Sequence, residues 1–327
     1  MKRTLKYLLD QGFIDNDNFS KLNSFIEERP LSIFWHIRIL LYLGVTLIAT
    51  SFGILIYENI DTIGHLSIVS IIGLTSIACF VYAFKKVPEF SVEKIESSNP
   101  WFDYIVLLGT LLFLTFEGYL QFQYSIFGER YGLATLLPAI VLFGIAYRFD
   151  HLGVLSLGIT LFCSWLGISL TPKSLFTEND FSTTSLVITG ILLSVILIGA
   201  GYFTIRKGFK RHFHFTYYNF GLHLGAVAIL AAGFNFNYGW SWMLLISPLI
   251  LFAYWYAQTY KSFYFLLFGL GYAYIAVSYI VVEAFIGLDS DYIFSAYLLM
   301  AYFIGTSIYA IKFLRSSHKQ MTEDAGV

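Results

Sequence analysis

Glu117 and His223 are the ionisable side chains most at odds with their surroundings in the sequence. Glu117 lies in the apolar run TLLFLTFEGYLQF and His223 in FGLHLGAVAIL. A charged or strongly polar group is costly in hydrocarbon, so it faces a cavity, a partner or the membrane interface. At 1.5 Å per residue Glu117 sits about 24 Å of helix beyond Trp101, roughly 6 Å short of the far edge of a ~30 Å core. A carboxylate there can bind a proton or a cation, helped by Gln121 one turn on and Gln123 beyond, or it can reach up to interfacial water.

His223 lies deeper, about 12 Å into its helix by the same rise, with Asn219 one turn away on the same face. An imidazole near the midplane can carry a proton or hold a substrate. Gly221 and Gly225 flank it in a Gly-x-x-x-Gly pattern that marks close helix contact, which makes an interhelical hydrogen bond the competing role. The two groups differ by about 12 Å in depth, so only a water-filled path would couple them. Glu117, Gln121, Asn219 and His223 are therefore the substrate- or proton-binding candidates.

A dense basic run, Arg206-Lys207-Gly208-Phe209-Lys210-Arg211-His212-Phe213-His214, offers a different chemistry. Arg206, Lys207, Lys210 and Arg211 are candidates for holding anionic lipid headgroups, at roughly 1 kcal/mol per cation near a membrane surface. The same run also fixes topology. His212 and His214 make a poor metal pair, because the adjacent cations repel a metal ion. The acids Glu58, Asp61, Glu283, Asp289 and Asp291, with Asn59, match no calcium-loop spacing and read as solvated loop acids. Cys79 and Cys163 read as small apolar packing residues. No Gly-rich phosphate loop, His-Glu-x-x-His or Gly-x-Ser-x-Gly elbow occurs, so no enzyme activity, cofactor, metal or nucleic-acid partner is expected.

The elements that carry these residues are membrane spans. The chain is 57% hydrophobic and 13% charged, about half the roughly 25% charge of a soluble protein. The apolar residues gather in blocks of about twenty, enough to cross ~30 Å of hydrocarbon as helix. Spans are expected near 37–57, 63–84, 101–122, 131–147, 151–169, 184–205, 216–233, 240–258, 262–283 and 292–312. With the N-terminus inside, every one of the 20 Lys and Arg residues except Arg130 and Lys173 falls on the inner side. That asymmetry is the positive-inside pattern, and it predicts a ten-span, all-α bundle with both termini cytoplasmic. Pro138 and Ser247-Pro248 each free a backbone carbonyl and predict a kink or a break. The first apolar run begins near Ile37 behind a polar stretch, so the first span is expected to act as its own insertion signal.

Three regions follow: a cytoplasmic helical hairpin at 1–35, a transmembrane domain at 36–314 and a cytoplasmic tail at 315–327. In the hairpin Leu5, Leu8 and Leu9 share one face, Gly12 ends the first helix, and Asp15 caps a second with the stripe Phe19, Leu22, Ile26. Two helices this short do not persist alone in water, so they dock on each other, on the membrane or on a protein partner.

Gly12-Phe13-Ile14-Asp15, Leu22, Arg38, Leu43-Gly44, Leu47-Ile48-Ala49, Gly53-Ile54 and Asn59-Ile60-Asp61 together resemble a bacterial family of predicted membrane proteins, domain of unknown function twenty-one fifty-seven. Family members often show Asn-Trp-Asp where this chain has Asn59-Ile60-Asp61. The resemblance covers the first sixty-odd residues and implies a bacterial inner-membrane location, with no activity attached. The functional expectation is small-solute or ion binding and transport through a cavity near Glu117 and His223. The alternatives are a scaffold that recruits a partner through its hairpin and, third, a lipid-modifying enzyme.

Overall fold

The structure is a computed structural model that describes residues 11–15, 17–20, 34–95, 100–128, 130, 132–170, 184–287 and 292–324. Within them the chain is all-α. The helices are α1 (Phe34–Ile63), α2 (His65–Lys86), α3 (Pro100–Tyr124), α4 (Leu133–Phe149), α5 (Leu152–Leu170) and α6 (Thr184–Lys207), then α7 (His214–Asn235), α8 (Gly239–Leu244), α9 (Ser247–Tyr260), α10 (Phe263–Gly287) and α11 (Tyr292–Asp324). Each expected span coincides with a helix, the eighth being divided into α8 and α9 immediately before Pro248, where the sequence places a break.

Eight segments are long and apolar enough to cross a membrane, α8 and α9 counting as one, while α4 and α5 are shorter apolar helices. The 17 residues of α4 span only about 25 Å. Pro138 sits inside α4 without ending it. The tight turns after α4 and α9 have the same construction. Asp150 (φ 59) and Lys261 (φ 51) adopt the left-handed conformation. His151 N–H then reaches back to the Ala146 carbonyl at 3.0 Å and Ser262 N–H to that of Ala257 at 3.1 Å. This six-to-one closure satisfies helix-end carbonyls that would otherwise be orphaned.

Contacts between helix ends give the alternation. At one end the Tyr104 hydroxyl lies 3.5 Å from the Arg38 carbonyl, and Arg148 donates to the Pro88 carbonyl at 3.2 Å. At the same end Tyr256 meets His214 at 2.9 Å, and the Phe263 and His318 rings pack edge-on at 4.7 Å. At the opposite end His65 is hydrogen bonded to Tyr119. The first set of ends carries Arg38, Lys86, Arg148, Arg206, Lys207 and Lys261 and is the cation-rich end of the bundle.

The core is built from adjacent helix pairs, α6 with α7, α4 with α5 and α2 with α3. One apolar cluster, including Ala83, Phe102, Leu142, Leu155, Leu197 and Tyr217, joins α2 through α7. The span containing α7 is the most buried, whereas none of the most apolar stretch of α11 is buried and little of α1 is. Those two helices turn apolar side chains outward, as lipid permits.

Of the expected hairpin, Gly12 takes a positive φ of 72. Phe19 N–H donates to the Asp15 carbonyl at 2.8 Å, and residues 17–20 are helical. Leu5, Leu8, Leu9, Leu22 and Ile26 lie outside the described residues. Residues from 315 onward, the start of the expected tail, continue α11 as far as Asp324, and Met321 packs among Tyr256, Ala257 and Phe265.

Candidate functional site

The densest group of ionisable side chains lies at the cation-rich end, away from both Glu117 and His223. It begins with Asp150, whose left-handed turn aims its carboxylate back under the neighbouring connections. Oδ2 accepts the Ile95 N–H at 2.6 Å and lies 3.3 Å from Lys210 Nζ, while Oδ1 lies 2.6 Å from His212 Nε2. The Lys210 side chain is 0% exposed and that of Asp150 2%. Lys210 is itself left-handed (φ 48). Its N–H donates to the Val92 carbonyl at 2.8 Å, and its ammonium stands 5.2 Å from the centre of the Phe90 ring. The segment after α2, the α4–α5 turn and the α6–α7 turn are thus fastened into one cap.

Burial by itself would raise the Asp150 carboxyl. The His212 and Ile95 hydrogen bonds and the charges of His212 and Lys210 outweigh it and hold the carboxyl below its usual value. The group is an anion at neutral pH, and it compensates a lysine that could not otherwise be buried.

The next residue, His151, is also buried. Its Nδ1 accepts the Val154 N–H at 3.2 Å and so caps the first turn of α5. Nε2 must then carry the proton, which it donates to the Asp103 carbonyl at 3.0 Å. Burial pushes the imidazole below its usual value, the Asp103 carboxylate opposes this, and Arg38 adds to the lowering.

These groups border a cavity of about 1030 Å³ formed by the starts of α1, α3 and α5 and the ends of α2 and α4. Arg38, Lys86 and Lys94 contribute cations to its wall, Asp103 and Asp150 carboxylates, and Tyr42, Tyr82 and Tyr104 phenols. The Tyr42 and Tyr104 rings meet edge to face at 5.1 Å. Ile37, Leu41, Phe102 and Leu152 make the wall partly apolar. Lys210 pairs with Asp150, so of the two carboxylates that border the cavity only Asp103 is not in that pair. A guanidinium fork and two ammonium groups around one space suit an anionic oxygen cluster.

The sequence-predicted candidates are held differently. His223 Nδ1 lies 2.6 Å from the Tyr272 hydroxyl and Nε2 2.8 Å from that of Tyr264. Tyr264 in turn donates to Asn219 Oδ1 at 2.8 Å. The single Tyr264 proton is committed to Asn219, so Nε2–H donates to Tyr264 and Nδ1 accepts from Tyr272. Both ring nitrogens of His223 are thus hydrogen bonded between α7 and α10. Gly221 and Gly225 face α6, where Ser194 Oγ donates to the Gly221 carbonyl at 2.6 Å.

Glu117 is half-buried on α3, one turn beyond Phe113, and its Oε1 has no hydrogen-bond partner among the described residues. Gln121 does not serve it. Its Oε1 accepts the Phe127 N–H at 3.0 Å and its Nε2 donates to the Gly128 carbonyl at 3.4 Å, closing the loop after α3. No hydrogen bond or ion pair joins Glu117 to His223 among the described residues, and neither borders the cavity.

In the basic run Arg206, Lys207 and Arg211 are exposed, as a headgroup contact requires. Lys210 is a correction: it is turned inward to Asp150 and has no surface to offer lipid. His212 and His214 diverge, one to Asp150 and the other to Tyr256. Among the described residues no group of three His, Cys, Asp or Glu could hold a metal. Asp289 and Asp291 fall outside them.

Sequence reasoning missed Asp103, Asp150 and His151. The available signal was an acid followed by a histidine in a two-residue turn on the cation-rich side. No curated protein and no solved structure matches the chain. The likeness seen in the first sixty-odd residues extends much further: residues 6–155, which supply the whole described cavity wall except His212, match the family described as Predicted membrane protein (DUF2157).

Proposed function

We propose that this multi-pass membrane protein binds a small anionic ligand in the cavity at its cation-rich end, and that this end faces the cytoplasm. The observation that carries the reading is the cavity wall, where Arg38, Lys86 and Lys94 converge on about 1030 Å³. The cytoplasmic assignment rests on the distribution of Lys and Arg, which accumulate on that side of membrane proteins. Solute handling remains the functional class expected from the sequence, with its ligand site moved from mid-membrane to the membrane surface.

The test is the thermal stability of the purified protein across a panel of phosphates, carboxylates and inorganic cations. A ligand at a hundred times its dissociation constant adds about 2.7 kcal/mol to the native state, a readily measured shift. Anions are expected to raise the midpoint, and Arg38→Gln combined with Lys86→Gln to remove that response. A response to cations alone, or an anion response unchanged in the double variant, would sink the reading.

A further inference from the structure

We infer that the exposed part of the basic run, Arg206, Lys207 and Arg211, is a docking surface for an anionic phospholipid of the surrounding leaflet. The surface is separate from the cavity, which none of the three borders among the described residues.

The α6–α7 connection sorts the run into two sets. Phe209 and Lys210 turn inward, the ring stacking on Tyr147 at 5.7 Å and the ammonium pairing with Asp150. His212 meets the other oxygen of that carboxylate, and Phe213 is buried. Gly208 (φ 68) and Lys210 (φ 48), both left-handed, reverse the chain between the two helices. Outside remain Arg206 and Lys207 on the last turn of α6 and Arg211 at the entry to α7, all exposed. Their side chains have no hydrogen bond or ion pair among the described residues. Four residues of chain, at most about 14 Å, separate Lys207 from Arg211. The turn that carries them is pinned to the segment after α2, where Lys210 N–H donates to the Val92 carbonyl at 2.8 Å. Little backbone freedom is then left to lose on binding.

Each cation has an exposed ring one turn deeper in the membrane. Tyr202 precedes Arg206 by four residues, Phe203 precedes Lys207 by four, and Phe215 follows Arg211 by four as α7 runs back. All three rings are exposed. Four residues of helix share a face and differ by about 6 Å in depth. Rings below and long basic side chains above is the order of the boundary between acyl chains and headgroups. A soluble acidic protein or a nucleic acid would engage the cations alone, because the rings lie deeper, among the acyl chains. A phospholipid engages both layers, its phosphate with the cations and its glycerol and first methylenes with the rings.

The experiment uses the full chain in mild detergent, titrated with dioleoyl phosphatidylglycerol, dioleoyl phosphatidylcholine or polyglutamate while the melting midpoint is followed. Phosphatidylglycerol is expected to raise the midpoint at far lower concentration than zwitterionic phosphatidylcholine, and polyglutamate to have no effect. Arg206→Gln with Lys207→Gln and Arg211→Gln should raise the half-saturating phosphatidylglycerol concentration roughly a hundredfold, about fivefold for each cation. A second triple variant, Lys85→Gln with Lys312→Gln and Arg315→Gln, removes the same charge from other exposed side chains and should leave the response nearly unchanged. The cavity variant Arg38→Gln with Lys86→Gln should leave it intact as well. Arg206→Lys with Arg211→Lys keeps the charge and should keep most of the response, which separates lost binding from lost folding. Equal losses in the two triple variants would overturn the docking surface and leave only diffuse attraction to a basic membrane face. An equal response to phosphatidylcholine would overturn the recognition of charge. A polyglutamate response matching that of phosphatidylglycerol would overturn the lipid assignment in favour of a soluble acidic partner.

Discussion

Lys210 and Asp150 are paired 3.3 Å apart, with the lysine side chain fully buried and the carboxylate nearly so. Two charges removed from water hold each other at a membrane-protein surface otherwise crowded with exposed cations. The pair decides how the cap over the cation-rich end is built, because the backbone groups of Ile95 and Val92 are bonded to these same two residues.

Removing one partner strands the other. Asp150→Asn keeps the Ile95 contact but leaves Lys210 buried without an anion, and Lys210→Met leaves Asp150 with only the His212 ring and the Ile95 N–H beside it. Each single change is expected to destabilise by about 3–5 kcal/mol, and the double variant to recover most of the loss, since paired charges can be replaced together at little cost. Melting midpoints of the three variants check this. Additive losses in the double variant would mean the pair is not coupled.

The sequence made the fold class legible because apolar blocks of span length leave no other architecture, and helix positions followed directly. It also marked Gly221 and Gly225 as a contact, which Ser194 now occupies. The cap was not legible. Lys210 reads as one more member of a basic run, and only its left-handed backbone, with Asp150 in a distant turn, turns it inward. Likewise Gln121 is placed one turn from Glu117 by helical spacing, but the loop closing over α3 claims its amide. Sequence spacing gives neighbours along a helix. It does not give the competition from other segments.

Acid should loosen the cap in two stages. His151 is held below its usual value of 6.5, so the folded state resists protonation that the unfolded chain accepts. Its contribution is complete above that value and declines as pH falls below it. Asp150 is also held below its usual 3.8, so its contribution is present above that pH and is lost as pH falls through the lower folded value. Stability measured from pH 8 to pH 3 should therefore fall first below about 6.5 and again below about 4. Asp150→Asn should lose the second decline and keep the first.

His223→Leu tests the two roles of that residue against each other. The substitution leaves the Tyr272 hydroxyl without its acceptor, while Tyr264 keeps Asn219, at a cost of about 1–3 kcal/mol for one unsatisfied polar group. The anion-induced stabilisation proposed for the cavity should persist, because His223 does not border it. Loss of the ligand response in a protein that melts normally would return His223 to the binding site.

The α6–α7 seam sets the last expectation. A Cβ on Gly225 would stand 2.4 Å from Ser194 Oγ and 2.8 Å from Leu249 Cδ1, whereas one on Gly221 would meet the Ser194 carbonyl at 3.1 Å and Ile198 N at 3.3 Å. At Gly225 the obstruction is side chain, which can move; at Gly221 part of it is backbone, which cannot move without parting the helices. Gly225→Ala should destabilise by about 1–3 kcal/mol, as overpacking does. Adding Ser194→Ala should return part of that by removing the hydroxyl in the way, less the value of its bond to the Gly221 carbonyl. Gly221→Ala should gain no such relief from Ser194→Ala, because the backbone contacts remain. Melting the four variants alongside wild type gives the comparison, and equal rescue at both glycines would show that the helices separate instead of holding their close approach.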